Sequence, residues 1–478
     1  MRLRPLLNGF LVLAACTGTY ACLQSEAAQP PSGQASPQAP ATGQATQPPA
    51  TTNTQPAPAG QSATAPQPTK YVVQRPEDPV VYLNPDANLT AFVRPIDRSK
   101  DPKRDPGPIS VPRGVPTFFR APIAHTPEDL KAGKVDVAFL GAPLDMGSGM
   151  RGAGWGPRGL RAFDPRPGGV GGGAEDPPPA TTSAAGAGAV ASNVQTPAQP
   201  AAAAATNPSG GSPNMHVMID PFRVLNIVDY GDAPIDNMST ERTMEPVRAL
   251  VREIAGAGTI PFIVGGDHSL EYANVAGLAD VYGKGQVGVI HFDAHFDASP
   301  ARAHLITHGQ PVRRVIDEGH ILGKNYIQVG LRGYYPNEQG FQWMRQQGMR
   351  YHTMAEVERD GWDSVMRRVI AEALDGPSKL HISFDIDVMD PAFAPGTGTP
   401  EPGGTTPREI FPLIRNLCAQ KDVVGMDMVE VAPLLDPSYT TTLVANRILK
   451  ECLTGIALRR RGVTQPNYLS PLVTDWRP

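Results

Sequence analysis

The sequence has few cysteines, little net charge and no long apolar run at its start, and each scarcity narrows what the chain can be. Four cysteines among 478 residues do not make a disulfide framework, so the fold must stand on its apolar core. Cys16 and Cys22 fall in the leader region. Cys418 and Cys452 fall in helix-like segments, where an oxidising compartment would permit a bridge but buried free thiols are expected. A formal net charge of -4 without basic clusters argues against a nucleic-acid surface. The run Arg459-Arg460-Arg461 reads as the end of the last helix, where cations suit the macrodipole. The apolar run from Leu6 to Ala15 is too short for a permanent membrane span, which needs about 20 residues.

What the N-terminus does contain is a basic start, Met1-Arg2-Leu3-Arg4, before that short run, and this predicts a signal peptide over residues 1–22. Its end, Leu13-Ala14-Ala15-Cys16, resembles the bacterial lipobox, with Cys16 as the lipidated residue; the alternative is plain secretion with cleavage nearer Ala27-Ala28. Residues 23–75 are dominated by Pro, Gln, Ala, Thr, Ser and Gly and cannot bury enough apolar surface to offset ordering entropy, which predicts a disordered tether. The same composition returns over residues 166–212, with Gly171-Gly172-Gly173 and the run Ala201 to Ala205, and predicts a low-complexity insertion. The expected location is the periplasmic side of a bacterial cell envelope, touching the membrane only through a lipid anchor.

Between these segments the pattern is regular. Apolar, β-branched runs recur at Val135–Gly141, Leu225–Asp229, Ile260–Val264, Val287–Phe292, Tyr326–Leu331, Leu380–Phe384 and Val423–Val431. Most are continuously apolar, as expected for strands buried on both faces of a parallel sheet. Helix-length stretches separate them, at Thr240 to Ala255, Leu270 to Tyr282, Glu338 to Gln347, Trp362 to Leu374 and Pro407 to Cys418. The alternation predicts a three-layer α/β/α domain with a mostly parallel sheet over residues 110–463.

Three short motifs follow three of the predicted strands: Gly265-Gly266-Asp267-His268-Ser269, His291-Phe292-Asp293-Ala294-His295-Phe296-Asp297 and Ser383-Phe384-Asp385-Ile386-Asp387. They offer His268, Asp293, His295, Asp297, Asp385 and Asp387 as metal ligands. Four carboxylates in one pocket repel one another unless cations neutralise them, and this count fits two divalent ions sharing bridging carboxylates. The oxygen-rich donor set suits manganese better than zinc. Asp267, Asp293, Asp385 and Glu430 all come at or just beyond the C-terminal ends of strands, where open α/β sheets bind ligands. His291, His304, His320, His352 and His381 carry no such pattern and are expected to be ordinary structural histidines. Asp427 is expected to support a ligand from behind, Asp390 to fix the Pro391 turn, and the glycine-rich segment Gly147 to Gly156 to line the pocket.

In this order the motifs resemble those of the ureohydrolase family of arginases and agmatinases. The match is completed by Ala394-Pro395-Gly396-Thr397-Gly398-Thr399-Pro400 and Gly425-Met426-Asp427-Met428-Val429-Glu430-Val431. Val115-Pro116-Thr117-Phe118-Phe119-Arg120 and Gly141-Ala142-Pro143-Leu144-Asp145 look more like agmatinases. The resemblance implies two Mn2+ per subunit, one on His268, Asp293, Asp297 and Asp385, the other on His295, Asp293, Asp385 and Asp387. It implies a hydroxide held between the ions as nucleophile, oriented by Asp297. His308, in Thr307-His308-Gly309-Gln310-Pro311, would shuttle protons to the leaving amine. Glu430 would pair with the substrate guanidinium, whose planar fork a carboxylate accepts. A homo-oligomer, trimeric or hexameric, is implied by analogy alone.

The loop between Asp297 and His308 contains no Asn, whereas arginases place one there to hold an amino-acid carboxylate, so agmatine is the expected substrate. Arg302 in that loop favours a guanidino acid such as guanidinobutyrate if it points inward. Guanidinopropionate, guanidine and arginine complete the alternatives. A rival of another class is a binding lipoprotein that kept the fold and lost the chemistry. The targeting expectation is checked by cell fractionation. Cys16→Ser should move the protein out of the membrane fraction, because a lipid anchor needs the thiol; a wild type that is itself wholly soluble would favour plain secretion.

Overall fold

The computed structural model describes residues 116–163, 213–300 and 306–475. The leader, Cys16, the tether, the insertion and Arg302 lie outside the described residues. Eight strands form one parallel sheet: β1 (Val137–Ala142), β2 (Ile227–Asp232), β3 (Ile260–Gly265), β4 (Val287–Phe292), β5 (Tyr326–Leu331), β6 (Arg350–Thr353), β7 (Lys379–Asp385) and β8 (Asp422–Val429). Their order is β2-β1-β3-β8-β7-β4-β5-β6. Helices cover both faces, giving the three-layer α/β/α architecture that the alternation predicts.

The inner strands owe their place to composition. Every residue of β1, β4 and β5 is buried, and β8 is buried throughout except at Asp422, as a sheet covered on both faces requires. Helix starts follow local chemistry. Ser239 caps Thr240–Gly256 by accepting from the Arg242 N–H, and Thr406 with Glu409 forms a capping box at the head of Pro407–Gln420. Strand β6 is missing from the sequence reading because it is a four-residue edge strand, Arg-Tyr-His-Thr, with three of its four residues only partly buried. Strand β8 ends at Val429, two residues before the predicted end, because Glu430 turns out of the sheet with φ +58. Among the described residues no helix is long and apolar enough to cross a membrane.

The topology positions the site. The chain leaves β3, crosses to β4, and only later returns to fill the gap with β7 and β8. The four adjacent strands β3, β8, β7 and β4 therefore present their C-terminal ends side by side. Residues 267–268, 293–297, 385–387 and 430 meet there despite their separation in sequence.

The expectation of free thiols at Cys418 and Cys452 is corrected by the structure, which joins them in a disulfide with Cα atoms 5.3 Å apart. The bridge ties Pro407–Gln420 to Thr440–Arg460, and both residues are fully buried. These helices touch closely because Gly455 has no side chain: a Cβ there would lie 2.6 Å from the Cys418 Cβ and 2.4 Å from the Arg415 carbonyl oxygen. Such an approach is set by helix docking and is invisible in the spacing of two cysteines.

Candidate metal centre

His268 stands at the head of the helix Leu270–Tyr282, immediately after β3, and is fully buried. Its Nδ1 lies 3.0 Å from Asp293 Oδ2, 3.2 Å from Asp297 Oδ2 and 3.1 Å from Asp385 Oδ2, yet makes no hydrogen bond of proper geometry. Three carboxylate oxygens converging on one unpaired imidazole nitrogen is the arrangement of a coordination shell. The opposite edge of the ring fixes the tautomer. Ser383 Oγ donates to Asp427 Oδ1 at 2.7 Å and so accepts from His268 Nε2 at 2.9 Å, which leaves the lone pair on Nδ1, facing the carboxylates.

A second group lies alongside. His295 Nδ1 is 2.9 Å from Asp387 Oδ2 and 3.5 Å from Asp293 Oδ1. Asp293 thus offers Oδ2 to the His268 group and Oδ1 to the His295 group, the placement of a bridging carboxylate. Asp385 reaches His268 through Oδ2, while its Oδ1 accepts the Asp387 N–H at 2.8 Å. Asp387 Oδ1 accepts the Ala294 N–H at 3.1 Å. All six sequence-predicted ligands are brought together, five of them buried and His295 partly open to a cavity of about 330 Å³.

The electrostatics show a site short of positive charge. Burial, with Asp387 and Asp293 beside it, pushes the Asp385 carboxyl well above the usual carboxylate range, and burial with Asp293 nearby pushes Asp387 up to about 6. Burial also works against Asp293, but the imidazoles of His268, His291 and His295 around it hold it well below that range. Burial would lower His295, yet Asp387 and Asp293 push it up to about 12. Without cations the histidines must take up protons to keep the carboxylates charged. The unpaired Nδ1 of His268 and the oxygen-rich donor set fit divalent ions in their place.

His308 and Glu430 flank this cluster. Glu430 follows β8 in a left-handed turn, and Asp297 also has positive φ, at 46°. Non-glycine residues in that region cost roughly 1–3 kcal/mol each and persist where the surroundings over-determine them. Glu430 Oε1 accepts the His268 N–H at 2.9 Å and contacts His308 Nδ1 at 3.0 Å; Glu430 Oε2 is buried without a hydrogen-bond partner. Burial would lower the His308 pKa, but Glu430 and Asp297 push it up to about 9. Asp267, at the same sheet edge, accepts from Ser148 N–H and Ser269 N–H; burial and Glu430 push it up to about 7.

Sequence reasoning missed part of the centre. His291, set aside as an ordinary histidine, lies in the cluster, with Nε2 2.9 Å from Asp293 Oδ2 and its ring stacked on His268 at 4.5 Å. His291 in β4 and Asp293 just past its end are two residues apart in extended chain, and that alternation was the available signal. Arg332 was also missed. Its guanidinium donates to the carbonyls of Gly330, Asp387, Val388, Met389, Glu401 and Pro402, clamping the loop that carries Thr399 and Glu401. Asp390 holds the same loop by accepting the N–H groups of Ala392, Gly403 and Gly404. Asp427 takes the supporting place expected of it, accepting from Asn274 Nδ2 and Ser383 Oγ. The segment Gly147 to Gly156 packs behind Asp267, where a Cβ on Gly147 would lie 2.9 Å from Asp267 Oδ1, and does not line the cavity.

These placements predict distinct losses. Asp293→Ala and Asp385→Ala should each abolish metal retention and activity together, whereas His308→Ala should keep the metal and lower turnover by roughly 10²–10⁴-fold. Metal analysis of the purified variants is the check. An Asp385→Ala protein that still holds two ions per chain and turns over would contradict the assignment.

The model of the arginase family matches residues 191–455. The chain is 32% identical to the human mitochondrial guanidino acid hydrolase over 75% of its length and 88% of that protein. It is 33% identical to the mitochondrial agmatinase of Gallus gallus, covering 72% of this chain and 86% of that one. Among solved structures, the proclavaminate amidinohydrolase of Streptomyces clavuligerus superposes with a TM-score of 0.56 at 29% identity, covering 72% of this chain and 98% of the other. With the sheet, the ordered motifs and these relatives in agreement, the chain belongs to the arginase family and is an amidinohydrolase acting on guanidino compounds.

Proposed function

We propose that the protein hydrolyses agmatine to urea and putrescine at a pair of Mn2+ ions held by His268, Asp293, His295, Asp297, Asp385 and Asp387. When bound, the two ions supply Lewis acidity and lower the pKa of water enough to make it a nucleophile near neutrality. Asp293, and with it Asp385, would bridge the pair. Glu430 offers its unpartnered Oε2 to the substrate guanidinium while Oε1 stays occupied by His268 N–H and His308. His308, fixed through Nδ1, keeps Nε2 for delivering a proton to the departing amine. A rival without catalysis would be favoured by a missing ligand, shuttle or guanidinium acceptor, and none of these residues is missing.

The observation that carries the choice of agmatine is the charge along the cavity. Glu430 sits behind His308 at the inner end, and Glu401 lines the cavity with Tyr334 and Tyr335, which are 93% and 71% exposed. Arg332 is the one arginine among the lining residues described, and its guanidinium is spent on backbone carbonyls. A cavity acidic toward both ends, with aromatic rings at the outer one, suits a guanidinium joined by a short apolar chain to an ammonium. A guanidino acid is the second reading, supported by the human relative's name and by the presence of Arg302 between Asp297 and His308 in the sequence. The proposal includes a bacterial envelope location through lipid on Cys16, tested by the fractionation described above. It also includes a trimeric or hexameric assembly, which sedimentation would test.

Urea release from agmatine, arginine, guanidinobutyrate, guanidinopropionate and guanidine distinguishes the readings, with agmatine giving the highest kcat/KM. Glu401→Gln should lower kcat/KM for agmatine by about 2–5-fold, the size of a partly exposed charge contact, and leave guanidinobutyrate unchanged or improved. Arg302→Ala should change agmatine turnover less than about threefold. A large gain for agmatine with a large loss for guanidinobutyrate on removing Arg302 would move the enzyme to the guanidino acids.

A further inference from the structure

Behind the centre, on the side away from the cavity, lies a buried polar group that the chemistry above does not use. Glu271, on the first turn of the helix Leu270–Tyr282, is 0% exposed. Among the described residues it has no Lys or Arg within ion-pair distance, and a buried carboxylate without such a partner must be held by hydrogen bonds or it destabilises the fold. Its Oε1 accepts from the Tyr326 hydroxyl. Its Oε2 lies 3.2 Å from His291 Nδ1, and the Tyr326 hydroxyl oxygen lies 2.8 Å from that same nitrogen. Tyr326 and His291 are likewise 0% exposed. The group joins the helix after β3 to strands β4 and β5.

The arrangement ends on Asp293. With Nδ1 of His291 engaged by Glu271 and Tyr326, Nε2 points at Asp293 Oδ2, 2.9 Å away. The other oxygen, Oδ1, accepts the His295 N–H at 2.6 Å. Both oxygens of Asp293 are thus fixed in direction, as a carboxylate serving two ions requires. The ring of His291 lies nearly parallel to that of His268, with 8° between the planes, so two imidazoles address the same oxygen from stacked positions. Apolar side chains would fill this space at less cost. A carboxylate, a phenol and an imidazole in series make sense if the last must be held in one orientation.

We propose that Glu271, acting through Tyr326 and His291, is a positioning residue that orients Asp293 and so sets how tightly the centre holds its manganese pair. The inference rests on the reading of this cluster as a Mn2+ site, and the control for that reading is built into the test. Mn2+ binding to the metal-depleted full chain is measured by electron paramagnetic resonance and calorimetry for wild type, Glu271→Gln and Tyr326→Phe. Both variants keep side-chain volume, and the second removes a single hydroxyl, so it decides the matter if the first fails to fold. The expected result is wild type binding two ions, with affinity in each folded variant lowered 10- to 100-fold and turnover recovered at saturating Mn2+. Variants that bind Mn2+ as tightly as wild type overturn the role of Glu271 and leave the metal centre standing. A wild type that binds no Mn2+ overturns the metal reading itself, and this inference with it.

Discussion

Four aspartates packed around two histidines, almost out of reach of water, impose the constraint on which the rest of the molecule depends. Like charges at hydrogen-bond separations in such an environment cannot all stay ionised unaided. The raised carboxyls of Asp385 and Asp387 and the raised imidazoles of His268 and His295 are two sides of that shortage. Divalent cations satisfy it with the fewest particles. Asp293 is the pivot, since it faces both histidines and is gripped on each oxygen.

The fold answers that constraint by topology. Because β7 and β8 insert between β3 and β4, loops far apart in sequence open at one edge of the sheet. The strands beneath are almost wholly buried, so their ends are rigid and their registers fixed by burial. Just beyond the strands, at the site, Asp297 and Glu430 adopt left-handed backbone. Behind the ligands, Asp427 with Ser383 steers His268, and Arg332 with Asp390 holds the loop bearing Glu401.

Much of this was legible in the sequence, for a physical reason. Continuous apolar runs announced seven of the eight strands, and each ligand motif sits directly after such a run, so the motifs could be placed at one sheet edge without coordinates. What escaped depends on contacts between elements. The edge strand β6 carries half-buried polar residues and no apolar run. The Cys418–Cys452 bridge depends on the close docking allowed by Gly455. His291, Ser383 and His381 lie inside strands, where a polar residue reads as an exception until the alternation with Asp293 and Asp385 is traced. Glu271 lies on the first turn of a helix the sequence does predict, but its partners His291 and Tyr326 come from β4 and β5, which no spacing along that helix reveals.

The central claim is that this chain needs two divalent ions per subunit to be an enzyme. The most direct measurement is urea release by exhaustively metal-depleted full-length protein as Mn2+ is added in measured equivalents, at protein concentrations well above the dissociation constant. The account predicts no turnover at the start and a rise that levels off at two ions per chain. Full turnover in the metal-depleted protein, or a plateau reached at one ion, would contradict it.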